Sequence, residues 1–325
     1  MNPLTDQPPS YVRGSDGKHG RWQRDGPSVG YLASSFYPDG SIAGWGRDMR
    51  LAVELAIGDV NAQQLPVQLE LAEVFETNGT TSDLPGALQD MMAAGAVAVL
   101  GADWSRVALQ AAAILTPCGV PLLPAGATSA SLDNLPAVFR TIYSDSQAAP
   151  LLTRVAQQLG AASVAIVGST DAFGAAGIAT IRASCAAAGV AVAAVETFVS
   201  SDPATGVLVG DGCATHPPNV EIVARAVAAA RDSGARTIIV SATGPSTQCV
   251  FAAAASLGMS PHTFTWLATE QVHPRGGWGS SWGRQVAQGG AGHLTYIGAP
   301  FEQSASMMRF VRAFVVSCPS YIDLH

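Results

Sequence analysis

Two spacings of apolar residues alternate along most of this chain. Met49, Ala52, Val53, Ala56 and Val60 recur every three or four positions, which predicts an amphipathic helix over Gly44 to Asn61. Val67, Leu69 and Leu71 then alternate with Gln68 and Glu70, which predicts a strand over Pro66 to Phe75. Apolar runs at Val29–Ala33 and Ala96–Leu100 read as strands, with a helix from Ser82 onward between 66–75 and 96–100. The same grammar returns further on. Strands are expected at Ser163–Gly168, Val190–Val199, Thr237–Ser241 and Thr263–Ala268, and helices at Phe173–Ala188 (ending at Gly189), Val220–Asp232 and Pro245–Leu257. A Gly- and Pro-rich loop, Ser200–Pro218, interrupts the rhythm. Alternation of this kind predicts an α/β protein with doubly wound parallel sheets. Residues 1–27, rich in Pro, Gly and charge and without a period, read as a mobile leader.

The stretch from Val97 to Ala149 concentrates the candidate chemistry. An apolar run ending in Gly101, a loop with Ser105, an alanine-rich helix, a second apolar run and a loop ending in Thr128 and Ser129 make one β-α-β unit. Ligands of parallel sheets bind outside the carboxyl ends of strands, where loop hydroxyls and helix-start N–H groups are available. Ser105 and Thr128 are therefore the first candidates, although the same geometry suits Ser105 as a helix cap and Ser129 as a turn residue.

Gly101 to Ser105, Pro121, Ala127-Thr128-Ser129, Phe139-Arg140 and Ser144-Asp145-Ser146-Gln147 together resemble the receptor-family ligand-binding region, from about Ser28 to Phe314. The resemblance implies a two-lobed type I periplasmic-binding-protein fold, the Venus flytrap, each lobe a doubly wound parallel sheet flanked by helices. It implies a first lobe at 28–143, a second at 144–297, and a return to the first at 298–325. Further first-lobe elements would follow there, so the first lobe is expected to be incomplete. The apolar helix face of Phe301, Met307, Phe310, Val311 and Phe314 is then expected to be poorly covered. In amino-acid-binding members, residues like Ser105 hold the ligand carboxylate, and a loop like Ala127-Thr128-Ser129 takes carboxylate and ammonium. Asp171-Ala172-Phe173-Gly174 resembles the family's D-x-x-Y-G, with Phe173 for the tyrosine. Trp266-Leu267-Ala268-Thr269-Glu270 resembles W-x-x-S-D, with Glu270 at the ammonium partner's position. Phe173 or Trp104 would cover the ligand's apolar stem, the groups meeting across a closed cleft. Glu270 reads equally as a solvent-facing loop acid.

Composition narrows the function. With 48% hydrophobic and 13% charged residues, the chain can bury a large core. A net charge of −7 without a basic run excludes a nucleic-acid or anionic-membrane footprint. The start lacks a hydrophobic signal core, whereas the resemblance implies an extracellular or periplasmic domain, so an export segment is expected outside this sequence. Asn78-Gly79-Thr80 is a glycosylation sequon. Cys118 and Cys185 read as buried free thiols, and Cys213 with His216 lacks a second metal-like pair, so neither a metal nor a cofactor is expected. Gly279-Ser280-Ser281-Trp282-Gly283 matches the hydrolase G-x-S-x-G, but no strand precedes it. Gly40, Gly44 and Gly46 lack dinucleotide-binding spacing. The expected function is a non-enzymatic sensor for a small polar ligand, an amino acid or related carboxylate. It would act with an attached or separate transmembrane signalling or transport module, as a possible homodimer. The alternative is a hydrolase or oxidoreductase on a doubly wound fold.

Overall fold

The computed structural model describes residues 11–13, 20–22, 27–34, 44–63, 68–76, 82–199, 217–242, 244–259, 262–269 and 295–297. They divide between two compact units. The first holds the described residues up to Ala127 together with Asn134–Thr141; the second holds Thr128–Asp133 and the described residues from Ile142 onward.

In the first unit the elements are β1 (Tyr11–Arg13), β2 (Gly20–Trp22), β3 (Ser28–Ala33), α1 (Gly44–Ala62), β4 (Glu70–Glu76), α2 (Leu84–Ala93), β5 (Ala96–Gly101), α3 (Ser105–Leu115) and β6 (Leu122–Leu123). The sheet order is β1-β2-β4-β3-β5-β6. β3 sits in its middle, paired in parallel with both neighbours, so Tyr31 faces Val74 on one side and Leu100 on the other. Val29, Tyr31, Ala33, Leu71 and Val74 form a buried cluster, against which Val53 and Ile57 of α1 pack. The carboxamide of Asn61, at the end of α1, donates to the Leu69 carbonyl at 2.9 Å and accepts from the Leu69 N–H at 2.8 Å. That side chain pairs with both backbone groups of one residue, as a neighbouring strand would, and so fixes the entry into β4.

Two features of this sheet depart from the sequence expectation. Residues 11–13 and 20–22, expected within a leader, form an antiparallel pair that extends the sheet through Arg21 and Glu73, so the sheet is mixed rather than wholly parallel. Edge pairing of this kind runs through backbone groups and needs no side-chain period. The alternation read across 66–75 also breaks. A register shift between Val29 and Gly30 pairs Val29 with Leu71 but Gly30 with Glu73, and the adjacent Val74 and Phe75 are both buried, as is Leu71. One extra residue on one strand flips the face that every later side chain presents.

The second unit contains α4 (Asp145–Gln158), β7 (Ser163–Ser169), α5 (Ala172–Ala188), β8 (Ala191–Phe198), α6 (Pro217–Asp232), β9 (Thr237–Ser241), α7 (Gly244–Ser256), β10 (Thr265–Thr269) and β11 (Thr295–Ile297). Its five strands are all parallel, in the order β11-β10-β9-β7-β8. Successive residues of a strand point to opposite faces, and both faces are covered. Ile238, Val240 and Trp266 pack with α6 and α7, while Ile166, Ile239 and Leu267 pack with α4 and α5. Trp266 is fully buried, edge-on to Phe251 with ring centres 5.2 Å apart. α5 starts where the Asp171 carboxylate accepts from the N–H groups of Phe173 and Gly174, and stops at Gly189.

Both sheets share one winding. β4-β3-β5 and β8-β7-β9 each show the chain moving out to one side of its first strand and then crossing to the other. The crevice at such a reversal, at the carboxyl ends of β3 and β5 or of β7 and β9, is where doubly wound sheets take ligands. Gly101 closes β5 there at φ 90°, and a β-carbon built on it would collide with the Leu32 carbonyl. We therefore expect Gly101→Ala to lower stability by about 3 kcal/mol or more, since the left-handed backbone and the backbone clash act together. Gly58→Ala, in open space on α1, should instead raise stability by roughly 0.5 to 1 kcal/mol. Urea denaturation followed by circular dichroism reads both.

Candidate functional site

The reversal point of the first unit is lined by the residues that end β3 and β5. β3 runs into Ser34, and β5 into Gly101-Ala102-Asp103, where Ala102 joins Gly101 in the left-handed region at φ 66° and its N–H donates to the Leu32 carbonyl at 3.2 Å. The turn delivers Asp103 beside Ser34. Part of the Asp103 surface is open, but both carboxylate oxygens and the Ser34 hydroxyl oxygen are closed off from solvent, and none of the three completes a well-formed hydrogen bond among the described residues. Burial pushes the Asp103 carboxyl up to about 6, while the nearby Ser34 hydroxyl and the backbone N–H of Asp103 pull the other way.

Trp104, half-buried, is the N-cap of α3 and makes no side-chain capping hydrogen bond. Ser105 is the first residue within the helix, buried at its start, and is therefore not its cap. The helix starts one residue earlier than a Ser105 cap requires, so the Ser105 side chain lies inside the first turn.

After β6 the chain reaches Ala127, buried in the first unit, and Thr128 and Ser129, which belong to the second. The Thr128 hydroxyl donates to an Asp145 carboxylate oxygen at 3.3 Å, and the Thr128 carbonyl accepts the Asp145 N–H at 2.9 Å. The Ser129 hydroxyl donates to the Ala172 carbonyl at 3.0 Å and accepts from the Ser131 N–H, capping the short 3-10 turn Ala130–Leu132. Each hydroxyl proton thus has a partner inside its own unit. Nearby, Ser144 and Ser146 both donate to Asp133, and Ser144 and Gln147 form the reciprocal cap of α4. The Ser144–Gln147 motif thus holds a helix start; Thr128 ties the loop to that start, and Ser129 ties it to the start of α5.

Phe173 is buried on the first turn of α5, where with Asp145, Leu152, Ile181 and Ser241 it lines a small apolar cavity. Ser169, at the end of β7, is fully buried and stands in the second unit where Ser34 stands in the first. Glu270, Asn78, the Cys213–His216 pair and Gly279–Gly283 lie outside the described residues. Cys118 is exposed, contrary to expectation, because it follows the helix on a 3-10 turn ending at Gly119; Cys185 is buried as expected, and burial raises its thiol. Cys249 is disulfide-bonded. No helix among the described residues is long and apolar enough to cross a membrane.

Asp103 and Ser34 escaped the sequence reading. An acid one residue before a helix cap looks like a solvated loop residue, and its burial depends on a distant strand. The raised carboxyl gives a signed prediction. The folded state holds this proton more tightly than the unfolded chain, so the group's contribution to stability falls as pH rises from about 4 to about 6 and stays lost above that. Asp103→Asn should therefore raise stability at pH 7 by on the order of 2 kcal/mol, the gain shrinking toward pH 4. Chemical denaturation of both proteins across that range measures it.

No curated protein matches this sequence. The profile of the receptor family ligand binding region matches residues 48–310, which include most of α1, the carboxyl ends of β5 and β7 and the loops after β5 and β6. With most of its length matched, and with parallel sheets flanked by helices, this chain belongs to the receptor family ligand binding region.

Proposed function

We propose that this receptor-type ligand-binding domain senses a small polar ligand of the amino-acid or carboxylate class at the extracellular or periplasmic face of a membrane. Its occupancy is passed to an attached or separate transmembrane signalling or transport module. The observation that carries the reading is the family match across the strand-end loops, where buried polar groups gather at a sheet reversal.

Ser105 in the first turn of α3 suits a ligand carboxylate, because a helix start carries partial positive charge and the Ser105 hydroxyl adds a donor. Ala127, Thr128 and Ser129 serve that carboxylate through their backbone, since the Thr128 and Ser129 hydroxyl protons go to Asp145 and Ala172. Trp104 or Phe173 covers the apolar stem. Glu270 enters by its place in the W-x-x-S-D-like segment, as partner to an ammonium.

A thermal-shift screen of amino acids and small carboxylates tests the reading, because a ligand at a hundred times its dissociation constant adds about 2.7 kcal/mol to the folded state. At least one such ligand should raise the melting temperature and be recovered chemically unchanged. Ser105→Ala should weaken it roughly 5- to 10-fold. Thr128→Val should chiefly lower stability, by about 1 to 3 kcal/mol, by leaving Asp145 short of a donor. A panel without any stabilising member sinks the proposal, and turnover of the ligand favours an enzyme.

A further inference from the structure

We propose that Asp103 and Ser34 bind a cationic group of the ligand, an ammonium, so that the sensed molecule carries a positive charge recognised by the first unit. The inference rests on the ligand-binding reading and moves the ammonium contact proposed for Glu270 to Asp103 and Ser34 of the first unit.

Three oxygens point to this group. Both Asp103 carboxylate oxygens and the Ser34 hydroxyl oxygen are closed off from solvent; the Ser34 hydroxyl and the Asp103 N–H lie beside the carboxylate, but none of the three oxygens completes a well-formed hydrogen bond among the described residues. Buried polar atoms are nearly always satisfied, so a group of this kind is explained by a partner that comes and goes. Asp103 does not cap α3. It stands one residue before the N-cap of α3, and the cap is Trp104, which makes no side-chain capping bond.

The surroundings hold the carboxylate at the reversal between β3 and β5. A β-carbon on Gly126, in the loop after β6, would lie 3.0 Å from the Asp103 β-carbon and 3.1 Å from Oδ1. Backbone therefore presses against the carboxylate on that side, and any larger residue at 126 would displace it. Ser34 closes another side.

An ammonium matches this acceptor set. It offers three donors in a compact charge, against two carboxylate oxygens and one hydroxyl oxygen. A calcium or magnesium ion asks for six or more oxygen ligands, about twice what these two side chains supply. The desolvation that raises the Asp103 carboxyl is offset once a cation sits beside it.

The test uses the full chain and a panel of standard L-amino acids, each with its decarboxylated amine and its deaminated acid, read by thermal shift and calorimetric titration. The proteins are wild type, Asp103→Asn, Ser34→Ala and Glu270→Gln. Amine-bearing members should stabilise wild type, and Asp103→Asn should weaken them on the order of 10- to 100-fold, with a smaller loss in Ser34→Ala. Acids without an amine should bind Asp103→Asn at least as well as wild type. The unliganded Asp103→Asn protein should melt no lower than wild type, which separates lost binding from lost folding. Equal amine affinity in wild type and Asp103→Asn overturns the inference, above all if Glu270→Gln abolishes binding. Stabilisation by acids alone overturns it while leaving the ligand-binding reading intact. A wild-type chain indifferent to every probe overturns both.

Discussion

A strand in the middle of a parallel sheet must have both of its backbone edges paired, and each neighbour must re-enter from the same end. β3 meets this by pairing with β4 and β5, and β7 by pairing with β8 and β9. Re-entry from one end forces a crossover between strands, and the crossovers here are helices that cover both sheet faces. The same constraint gathers every strand's carboxyl end at one edge. Where the winding reverses, two of those ends are adjacent yet their crossovers leave on opposite faces, and a crevice opens. The chemistry of each unit is then decided by the residues at the carboxyl ends of the two strands that flank its reversal.

The second unit fills its strand-end edge with its own groups. Asp171 caps α5, Ser241 donates to the Gly174 carbonyl, and the Thr128 and Ser129 hydroxyls reach Asp145 and Ala172. Ser169 and Ser246 are exceptions, their hydroxyl oxygens buried without a hydrogen-bond partner among the described residues. The first unit adds an enclosed carboxylate. A left-handed turn at Gly101 and Ala102 brings Asp103 against Ser34, and the packing leaves their oxygens enclosed without a well-formed hydrogen bond among the described residues. Enclosure without pairing is costly, because an ionised carboxylate cut off from water loses more than a nearby hydroxyl returns. The raised Asp103 carboxyl expresses that cost in protons.

Elements whose identity depends on local patterning were legible in the residues. The strand holding the β-branched run Thr237–Val240 has the bounds read from the sequence, Thr237–Ser241, and α5 ends at Gly189 as its composition implies. The family resemblance, carried by Gly101 to Ser105 and Ser144 to Gln147, pointed to the group whose profile matches 48–310. The pairing of Arg21 with Glu73 was not legible, because edge strands are recruited through backbone groups that every residue has. The register shift opposite Leu71–Glu73 was hidden for a related reason, since a bulge is a property of two strands together.

The candidate site divides along the same line. Sequence alone determined which loops come after which strands, because hydrophobic period sets the elements and chain order sets their connections; it thereby singled out Ser105 and Thr128, to which the family resemblance added Trp104, Ala127 and Ser129. Only the tertiary structure decided what each polar side chain meets. Thr128 and Ser129 spend their protons on Asp145 and Ala172, and Ser105 lies inside a helix rather than capping it. Asp103, one loop acid among several in the sequence, becomes the enclosed carboxylate of the first unit. Its environment is built by Ser34 and Gly126, which are distant in the chain, and desolvation is a property of the space around a group rather than of its neighbours in sequence.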